Sequence, residues 1–185
     1  MSYIFDPDKL HALAKNRVGL PHQEMVSTII EDLAHQYPGH IEKKQKWILS
    51  ICGGAMGIMT ILHGSLSEYL LIFGTPIGTE GFSGRYRVDI YDFIVAGEMW
   101  TYTEDHFRQR IVTMPGEMAH LRRRQVKGFK FPEGAWMLEY GRGPIPTTLP
   151  FALSGAAFSL DIRPIAETLW VYGRLVIKEL WRGKI

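Results

Sequence analysis

Between Trp47 and Glu139 the chain consists of short apolar runs separated by glycine, proline or charged residues. The runs read SEYLLIFG, GTEGFSGRYRVDIYDFIVAGEMWTY, RQRIVTMPGE, VKGFKF and AWMLEYG. Runs of this length with these boundaries are typical of strands joined by tight turns. Several of them in succession predict an antiparallel sheet or barrel.

Helical spacing of apolar residues flanks this segment on both sides. Asp6-Pro7 predicts an N-cap followed by proline at the first helical position, and a second helix opens near Pro21. Near the C-terminus we expect a short helix over 149–160 and a longer one from Pro164 to about Trp181. The 185 residues therefore predict a single α+β domain. Its expected parts are N-terminal helices at 1–46, an antiparallel β-barrel at 47–146 and C-terminal helices at 147–185.

Composition excludes several classes of protein. Cys52 is the single cysteine, so no intrachain disulfide can form. The net charge of +2 is too small to favour nucleic acid as a partner. No signal peptide is expected at the N-terminus. The longest stretch without Asp, Glu, Lys or Arg runs from Trp47 to Ser67 and contains four glycines, so we predict no transmembrane helix.

Two acidic residues, Asp92 and Glu139, have apolar neighbours on both sides in strand-like runs. An ionised carboxylate is costly to bury unless it is paired or hydrogen-bonded. Because side chains alternate along a strand, Asp92 shares a face with Ile90 and Ile94, and Glu139 shares one with Met137. Parity places Asp92 inside the barrel and leaves open which face of the Glu139 strand is inside.

Two interpretations of the acid pair remain open. If Asp92 and Glu139 meet in one apolar cavity, one of them holds a proton and the pair supplies both an acid and a base. Such a pair could equally bind a cationic ligand. Alternatively, both acids are structural and are satisfied by backbone amides and tyrosine hydroxyls.

Other polar residues carry weaker signals. The histidines show no His-x-His pair and no cluster with metal-ligand spacing, and no nucleotide-binding motif occurs. We therefore predict no metal and no cofactor. The basic run of Arg122, Arg123, Arg124 and Lys127 is interpreted as a solvated turn. Glu68 and Glu98 are expected to anchor neighbouring loops by hydrogen bonds.

The last predicted helix has an unusually wide apolar arc. Its polar side carries a basic stripe at four-residue spacing, formed by Arg174, Lys178 and Arg182. This pattern is typical of a helix in a membrane interface. It is equally typical of a helix that packs on the barrel or on another subunit. The apolar arc comprises Ile165, Leu169, Trp170, Tyr172, Leu175, Val176, Ile177 and Leu180.

Five motifs in order, HGSLSEYLLIFGT, GTEGFSGRY, IYDFIVAG, MPGE and WMLEYGRGPIPTTLPFAL, resemble the family of fungal C-8 sterol isomerase and the sigma-1 receptor. The resemblance implies a cupin-like β-barrel around a lipophilic pocket, two C-terminal helices that cover the barrel mouth at the membrane surface, and a homotrimer. The N-terminal transmembrane helix usual in the family has no counterpart in this sequence. We therefore expect interfacial, monotopic association on the cytoplasmic side, at the endoplasmic reticulum in a eukaryote.

The resemblance also implies site residues. In the receptor branch two acids hold the ligand amine, and their positions correspond to Asp92 and Glu139. For an isomerase, the rings of Tyr69, Phe73 and Trp136 are expected to stabilise a carbocation. The remaining positions implied to line the pocket are Met59, Ile61, Ile90, Phe131, Leu149 and Ala152.

Three functions follow from the resemblance and the acid pair. The first is a cofactor-independent double-bond isomerase of a sterol or sterol-like lipid, inhibited by cationic amphiphilic amines. The second is a non-catalytic, receptor-like binder of hydrophobic amines or lipids. The third is an isomerase or cyclase of another terpenoid. Sequence features alone leave the choice among them open.

Overall fold

The computed structural model describes residues 3–185 and begins with two helices, α1 (Pro7–Lys15) and α2 (His22–Gln36). Asp6 has extended backbone, and its Oδ1 accepts hydrogen bonds from the amides of Asp8 at 2.9 Å and Lys9 at 3.1 Å. The side chain thereby satisfies two of the four amides that lack a partner within the helix. The predicted N-cap is confirmed.

The central part of the described chain forms two antiparallel sheets. In one sheet the strand order is β1-β2-β3-β10-β5-β8, and in the other it is β4-β9-β6-β7. The two sheets face each other across a cavity, so the prediction of antiparallel sheet structure is confirmed. The strands are β1 (Ile48–Cys52), β2 (Ala55–Gly64), β3 (Glu68–Thr75), β4 (Thr79–Phe82), β5 (Asp89–Ala96), β6 (Met99–Thr103), β7 (Ile111–Thr113), β8 (Met118–Leu121), β9 (Lys127–Phe131) and β10 (Ala135–Arg142).

The larger sheet has an outer face that is buried and an inner face that points toward the cavity. On its outer face, Leu70, Phe93 and Leu138 pack in one buried cluster with Leu10 of α1 and Leu33 of α2. All five side chains are fully buried. The N-terminal helices therefore cover the outside of the sheet, and strand alternation sends the intervening side chains into the cavity.

Two helices follow the last strand, α3 (Leu149–Phe158) and α4 (Ile162–Trp181). Gly155 lets α3 approach β1, because a Cβ at this position would lie 2.3 Å from the carbonyl oxygen of Ile51. The N-cap of α4 is Asp161, whose Oδ1 accepts a hydrogen bond from the Arg163 amide at 3.3 Å. The helix therefore starts two residues before the predicted Pro164.

The apolar arc of α4 divides into a buried part and an exposed part. Val171, Tyr172, Leu175 and Val176 are buried against the strands. The exposed apolar residues of α3, α4 and their connection form what we call the α3–α4 face. These residues are Phe158, Leu160, Ile162, Leu169, Trp170, Ile177, Leu180 and Trp181.

Two of the three basic residues in the stripe of α4 are engaged within the chain. Arg174 forms an ion pair with Glu42 at 2.7 Å, and Arg182 contacts Glu179 at 3.3 Å and the Gly39 carbonyl. These contacts fasten α4 to the segment after α2. Over residues 3–185, no helix combines the length and the apolar content needed to cross a membrane.

Glu68 joins both ends of the chain to the sheet. Its fully buried carboxylate accepts hydrogen bonds from the Ile4 amide at 2.7 Å and from the Tyr140 hydroxyl at 2.8 Å. It also forms an ion pair with Lys184 at 2.9 Å. Glu98 accepts a bond from the Trp100 indole at 2.9 Å. Glu68 is the anchor that was predicted, and it holds the terminal segments.

Candidate functional site

The cavity between the sheets has a volume of about 190 Å³ and a largely apolar lining. Leu149 and Ala152 of α3 and Thr168 and Tyr172 of α4 also line it, although neither helix is part of the sheets. The polar side chains that concern chemistry are contributed by four strands, β3, β5, β9 and β10. They are Tyr69, Asp92, Lys127 and Glu139.

Asp92 and Glu139 lie directly opposite each other on neighbouring strands β5 and β10. Directly opposed residues have Cβ atoms about 4.5–5.5 Å apart and side chains on the same face of the sheet. Both acids line the cavity, as do Ile90 and Met137. The predicted shared faces are therefore confirmed, and the two acids meet in one apolar cavity.

Lys127 reaches Asp92 from the opposite sheet. Its Nζ forms an ion pair with Asp92 Oδ2, and both residues are buried, with exposed fractions of 9% and 1%. The prediction that Lys127 belongs to a solvated turn is wrong. In the run VKGFKF, Lys127 shares a face with Phe129 and Phe131 by strand alternation. This alternation with two phenylalanines could have predicted that the Lys127 side chain points into the protein.

Within residues 3–185, Glu139 has no cation at hydrogen-bond distance, and it is held by a tyrosine. The Tyr69 hydroxyl donates to Glu139 Oε1 at 2.6 Å. Burial, reinforced by the negative charge of Asp92, raises the pKa of Glu139 to about 7, although Tyr69 and Lys127 oppose the shift. Burial and the neighbouring Glu139 charge raise the pKa of Tyr69 well above its ordinary value, so this hydroxyl remains a donor.

The site therefore contains two carboxyl groups in different environments. Glu139 can hold a proton near neutral pH, whereas the charge of Asp92 is compensated by Lys127. Two adjacent acids whose environments differ in this way can serve as proton donor and proton acceptor in one cavity. Cys52 also lines the cavity, but burial raises the pKa of its thiol to about 12, so it is not a nucleophile at neutral pH.

Most of the side chains expected to line a pocket do line this cavity. They are Met59, Ile61, Tyr69, Phe73, Ile90, Leu149 and Ala152. Phe131 is not among the lining residues; it is buried in contact with Phe73 and Phe129, which do line the cavity. Tyr86 and Phe129 line the cavity and were not predicted.

Trp136 lies on the outer face of β10, away from the cavity. Its ring packs against His22 at 4.0 Å and Trp47 at 5.7 Å between centroids. Because Trp136 and Glu139 are three residues apart, strand alternation puts them on opposite faces. The expectation that Trp136 contacts a ligand is therefore not met by its position.

Residues 1–184 match the family described as "ERG2 and Sigma1 receptor like protein". The chain belongs to the ERG2 and sigma-1 receptor-like family. Family members include the C-8 sterol isomerase ERG2 of Gibberella zeae, 39% identical over 99% of this chain and 79% of that protein. The sigma non-opioid intracellular receptor 1 of Gallus gallus is also 39% identical, over 96% of this chain and 81% of that protein.

A further ERG2 and sigma-1 receptor-like relative, the protein erg2 homolog of Dictyostelium discoideum, is 42% identical over 95% of this chain and 75% of that protein. Among solved structures, an RmlC-like cupin from Shewanella frigidimarina covers 56% of this chain and 90% of its own, with 16% identity and a TM-score of 0.47. Relatives named as isomerases and as receptors are equally similar in sequence, so the choice between these functions depends on the site.

Proposed function

We propose that this protein is a double-bond isomerase of a sterol or sterol-like lipid, with Glu139 as proton donor and Asp92 as proton acceptor. The observation that carries the proposal is the pairing of the two acids across β5 and β10, with a cation beside only one of them. Relatives named C-8 sterol isomerase support the substrate class.

The reaction needs only proton transfers. Glu139 gives its proton to one carbon of the substrate double bond, and the other carbon becomes a tertiary carbocation. Asp92 removes a proton from the carbon on the far side of the cation, and the electrons of that C–H bond form the shifted double bond. One proton enters and one leaves, so no cofactor is consumed. Loss of the abstracted proton from Asp92 to water and uptake of a proton from water by Glu139 restore the starting state.

Charge balance in the cavity supports this assignment. Before the reaction, Glu139 is neutral and the charges of Asp92 and Lys127 cancel. After protonation of the substrate, the Glu139 carboxylate balances the carbocation. The ring faces of Tyr69 and Phe73, which line the cavity, add cation–π stabilisation. Lys127 also favours loss of the proton from Asp92 to water, because it stabilises the Asp92 carboxylate.

The size of the cavity points to a movable cover. Its volume of about 190 Å³ is below the roughly 300–1,000 Å³ of typical small-molecule sites. A polycyclic lipid therefore requires displacement of lining side chains or helices. The α3 and α4 residues that line the cavity are not part of either sheet, so we infer that entry occurs beneath these helices.

Deuterium oxide provides the direct test. The protein is incubated with a Δ8 sterol in D2O, and products are analysed by mass spectrometry and NMR. The proposal predicts a shifted double bond and one deuterium at the carbon that receives the proton. The Glu139→Gln variant should give neither, whereas Glu80→Gln, which removes an exposed carboxylate of β4, should behave as the wild type.

Two results would contradict the proposal. One is wild-type turnover by Glu139→Gln, since no other acid lining the cavity on the described chain has a comparable proton to give. The other is a shifted bond without deuterium, because this would require a hydride or internal transfer. If sterols give no product, a total lipid extract tests whether another terpenoid is the substrate.

A receptor-like binder of hydrophobic amines is the second candidate, supported by the relatives named sigma non-opioid intracellular receptor 1. A ligand ammonium can pair with ionised Glu139, but Asp92 is already paired with Lys127. Amine binding should therefore weaken strongly in Glu139→Gln. Tight amine binding together with no product from any lipid would favour this candidate over the isomerase.

We further propose that the α3–α4 face contacts a membrane surface. Phe158, Leu160 and Trp181 are 86–90% exposed, which is unusual for large apolar side chains of a folded protein. The resemblance to the family also implies that the protein assembles as a homotrimer. Analytical ultracentrifugation in mild detergent should give three times the 21.1 kDa chain mass if the trimer forms.

A further inference from the structure

A second cluster of titratable side chains lies outside the cavity lining. It consists of His40 in the segment after α2, His63 of β2 and Glu179 of α4. One ligand atom of each residue lies within 4.8 Å of those of the other two. His63 and Glu179 are 1% and 2% exposed, whereas the His40 side chain is partly open to solvent.

The His63 ring is held in one tautomer. Its Nδ1 lies 2.9 Å from the His40 carbonyl oxygen, which can only accept, so Nδ1 carries the hydrogen. The lone pair is therefore on Nε2, and this buried nitrogen has no hydrogen-bond partner among the described residues. A buried polar atom without a partner is unfavourable, so this nitrogen indicates a ligand or ion that completes the site.

The other two residues of the cluster contact each other directly. His40 Nδ1 lies 2.8 Å from Glu179 Oε2, and Glu179 Oε1 contacts Arg182 Nη1 at 3.3 Å. The same guanidinium donates to the Gly39 carbonyl. The loop before β1, the end of β2 and the last turns of α4 therefore meet at one point.

We propose that His40, His63 and Glu179 form a binding site for a divalent transition-metal ion of the Zn²⁺ type. Two imidazoles and one carboxylate form a donor set that binds Zn²⁺ in preference to Mg²⁺ or Ca²⁺. The Nδ1–H bond of His63 to a backbone carbonyl is the outer contact that usually orients a metal-binding histidine. Water can occupy the fourth position from the exposed side of His40.

Binding requires a modest rearrangement of the cluster, in which His40 Nδ1 and Glu179 Oε2, 2.8 Å apart, separate slightly and ligand atoms that are up to 4.8 Å apart approach each other. Ligand atoms about 2.0–2.1 Å from Zn²⁺ in a tetrahedral site are roughly 3.3–3.5 Å apart. The partly exposed His40 lies in a loop between α2 and β1, so its ring can shift to admit an ion. Because the three residues belong to three different elements, the bound ion would fasten α4 to the sheet. We therefore assign the site a structural role rather than a catalytic one.

Metal titration of tag-free protein tests the proposal. After treatment with EDTA and its removal, Zn²⁺ is added in an isothermal titration, and Co²⁺ is added in a parallel absorption titration. We expect one ion per chain, a rise of the melting temperature with Zn²⁺, and visible absorption bands of tetrahedral Co²⁺. Mg²⁺ and Ca²⁺ should leave the melting temperature unchanged.

Variants locate the ion and separate binding from folding. His40→Ala, at the partly exposed position, should remain folded and lose at least 100-fold in Zn²⁺ affinity, and Glu179→Gln should lose a similar factor. His106→Ala removes an exposed histidine outside the cluster and should bind like the wild type. Equal Zn²⁺ affinity in the wild type and His40→Ala would overturn the proposal, as would the absence of any 1:1 binding.

Discussion

Asp92 and Glu139 are partners across β5 and β10, but Lys127 forms its ion pair with Asp92 alone. Two carboxyl groups of nearly equal intrinsic acidity thereby acquire different environments. Glu139 is left with a neutral donor, the Tyr69 hydroxyl, and with the negative charge of its neighbour. This asymmetry assigns the acid role to Glu139 and the base role to Asp92 in the proposed reaction.

Replacement of Glu139 by glutamine should abolish isomerase activity without loss of stability. A general acid typically contributes about 10²–10⁴-fold in rate, so kcat/KM should fall by at least about 10²-fold. Burial disfavours the ionised form of Glu139, and the neutral amide avoids that cost. Product analysis and urea unfolding at pH 8 measure the two effects, and an unfolded variant would contradict the second.

Replacement of Lys127 by methionine should destabilise the protein by about 3–5 kcal/mol, since it leaves the buried Asp92 carboxylate without its partner. The double variant Asp92→Asn with Lys127→Met should recover most of this loss, because no charge is then buried. Urea unfolding of the wild type, both single variants and the double variant gives the coupling free energy.

Lys130→Met is the matched control for this cycle. Lys130 is on the same strand but pairs with Glu80 on an exposed surface. Surface ion pairs of this kind contribute about 0–1 kcal/mol. A Lys127→Met variant that is no less stable than Lys130→Met would show that the buried pair does not hold Asp92 in place.

Stability should decrease as pH rises from 4.5 to about 7, and activity should decrease as pH rises above about 7. The pKa of Glu139 is about 7 in the folded chain and 4.5 in its ordinary state, so the folded form binds more protons between these values. The free energy of unfolding therefore decreases as pH rises across that window. The proton donor is lost above pH 7, so kcat/KM should fall about tenfold per unit there. A melting-temperature profile that matches that of Glu139→Gln would contradict the assignment.

Replacement of Tyr69 by phenylalanine should move the alkaline limit of activity to higher pH. The Tyr69 hydroxyl donates to the Glu139 carboxylate and lowers the pKa of that group. Its loss leaves burial and Asp92 to raise this pKa further, so the fall of kcat/KM should begin above pH 7. A pH–rate profile in parallel with the wild type measures the shift. A limit that moves to lower pH would show that another group controls the profile.

The sequence was sufficient to predict which neighbours share a strand face with Asp92 and with Glu139, since alternation along a strand depends only on neighbouring residues. It was also sufficient for the cap at Asp6, which is a local hydrogen-bonding pattern. The Lys127 contact was not predicted because it joins two sheets, and local pattern does not specify how sheets face each other. For Trp136, alternation relative to Glu139 already excluded the cavity.

The α3–α4 face gives the last prediction. Replacement of Trp170 and Trp181, which are 70% and 86% exposed, by serine should reduce sedimentation with phospholipid vesicles severalfold. Two of the three residues of the basic stripe, Arg174 and Arg182, are engaged with Glu42 and Glu179, so anionic lipid and salt should change binding less than the loss of the two tryptophans does.

Phe107→Ser is the matched control, because this aromatic residue is 66% exposed and lies outside α3 and α4. It should sediment with vesicles like the wild type. If the double tryptophan variant retains vesicle binding but loses its trimeric mass in ultracentrifugation, the α3–α4 face is a contact between subunits. Such a result would replace the membrane proposal, since an apolar face that is buried between copies of the chain is not available to lipid.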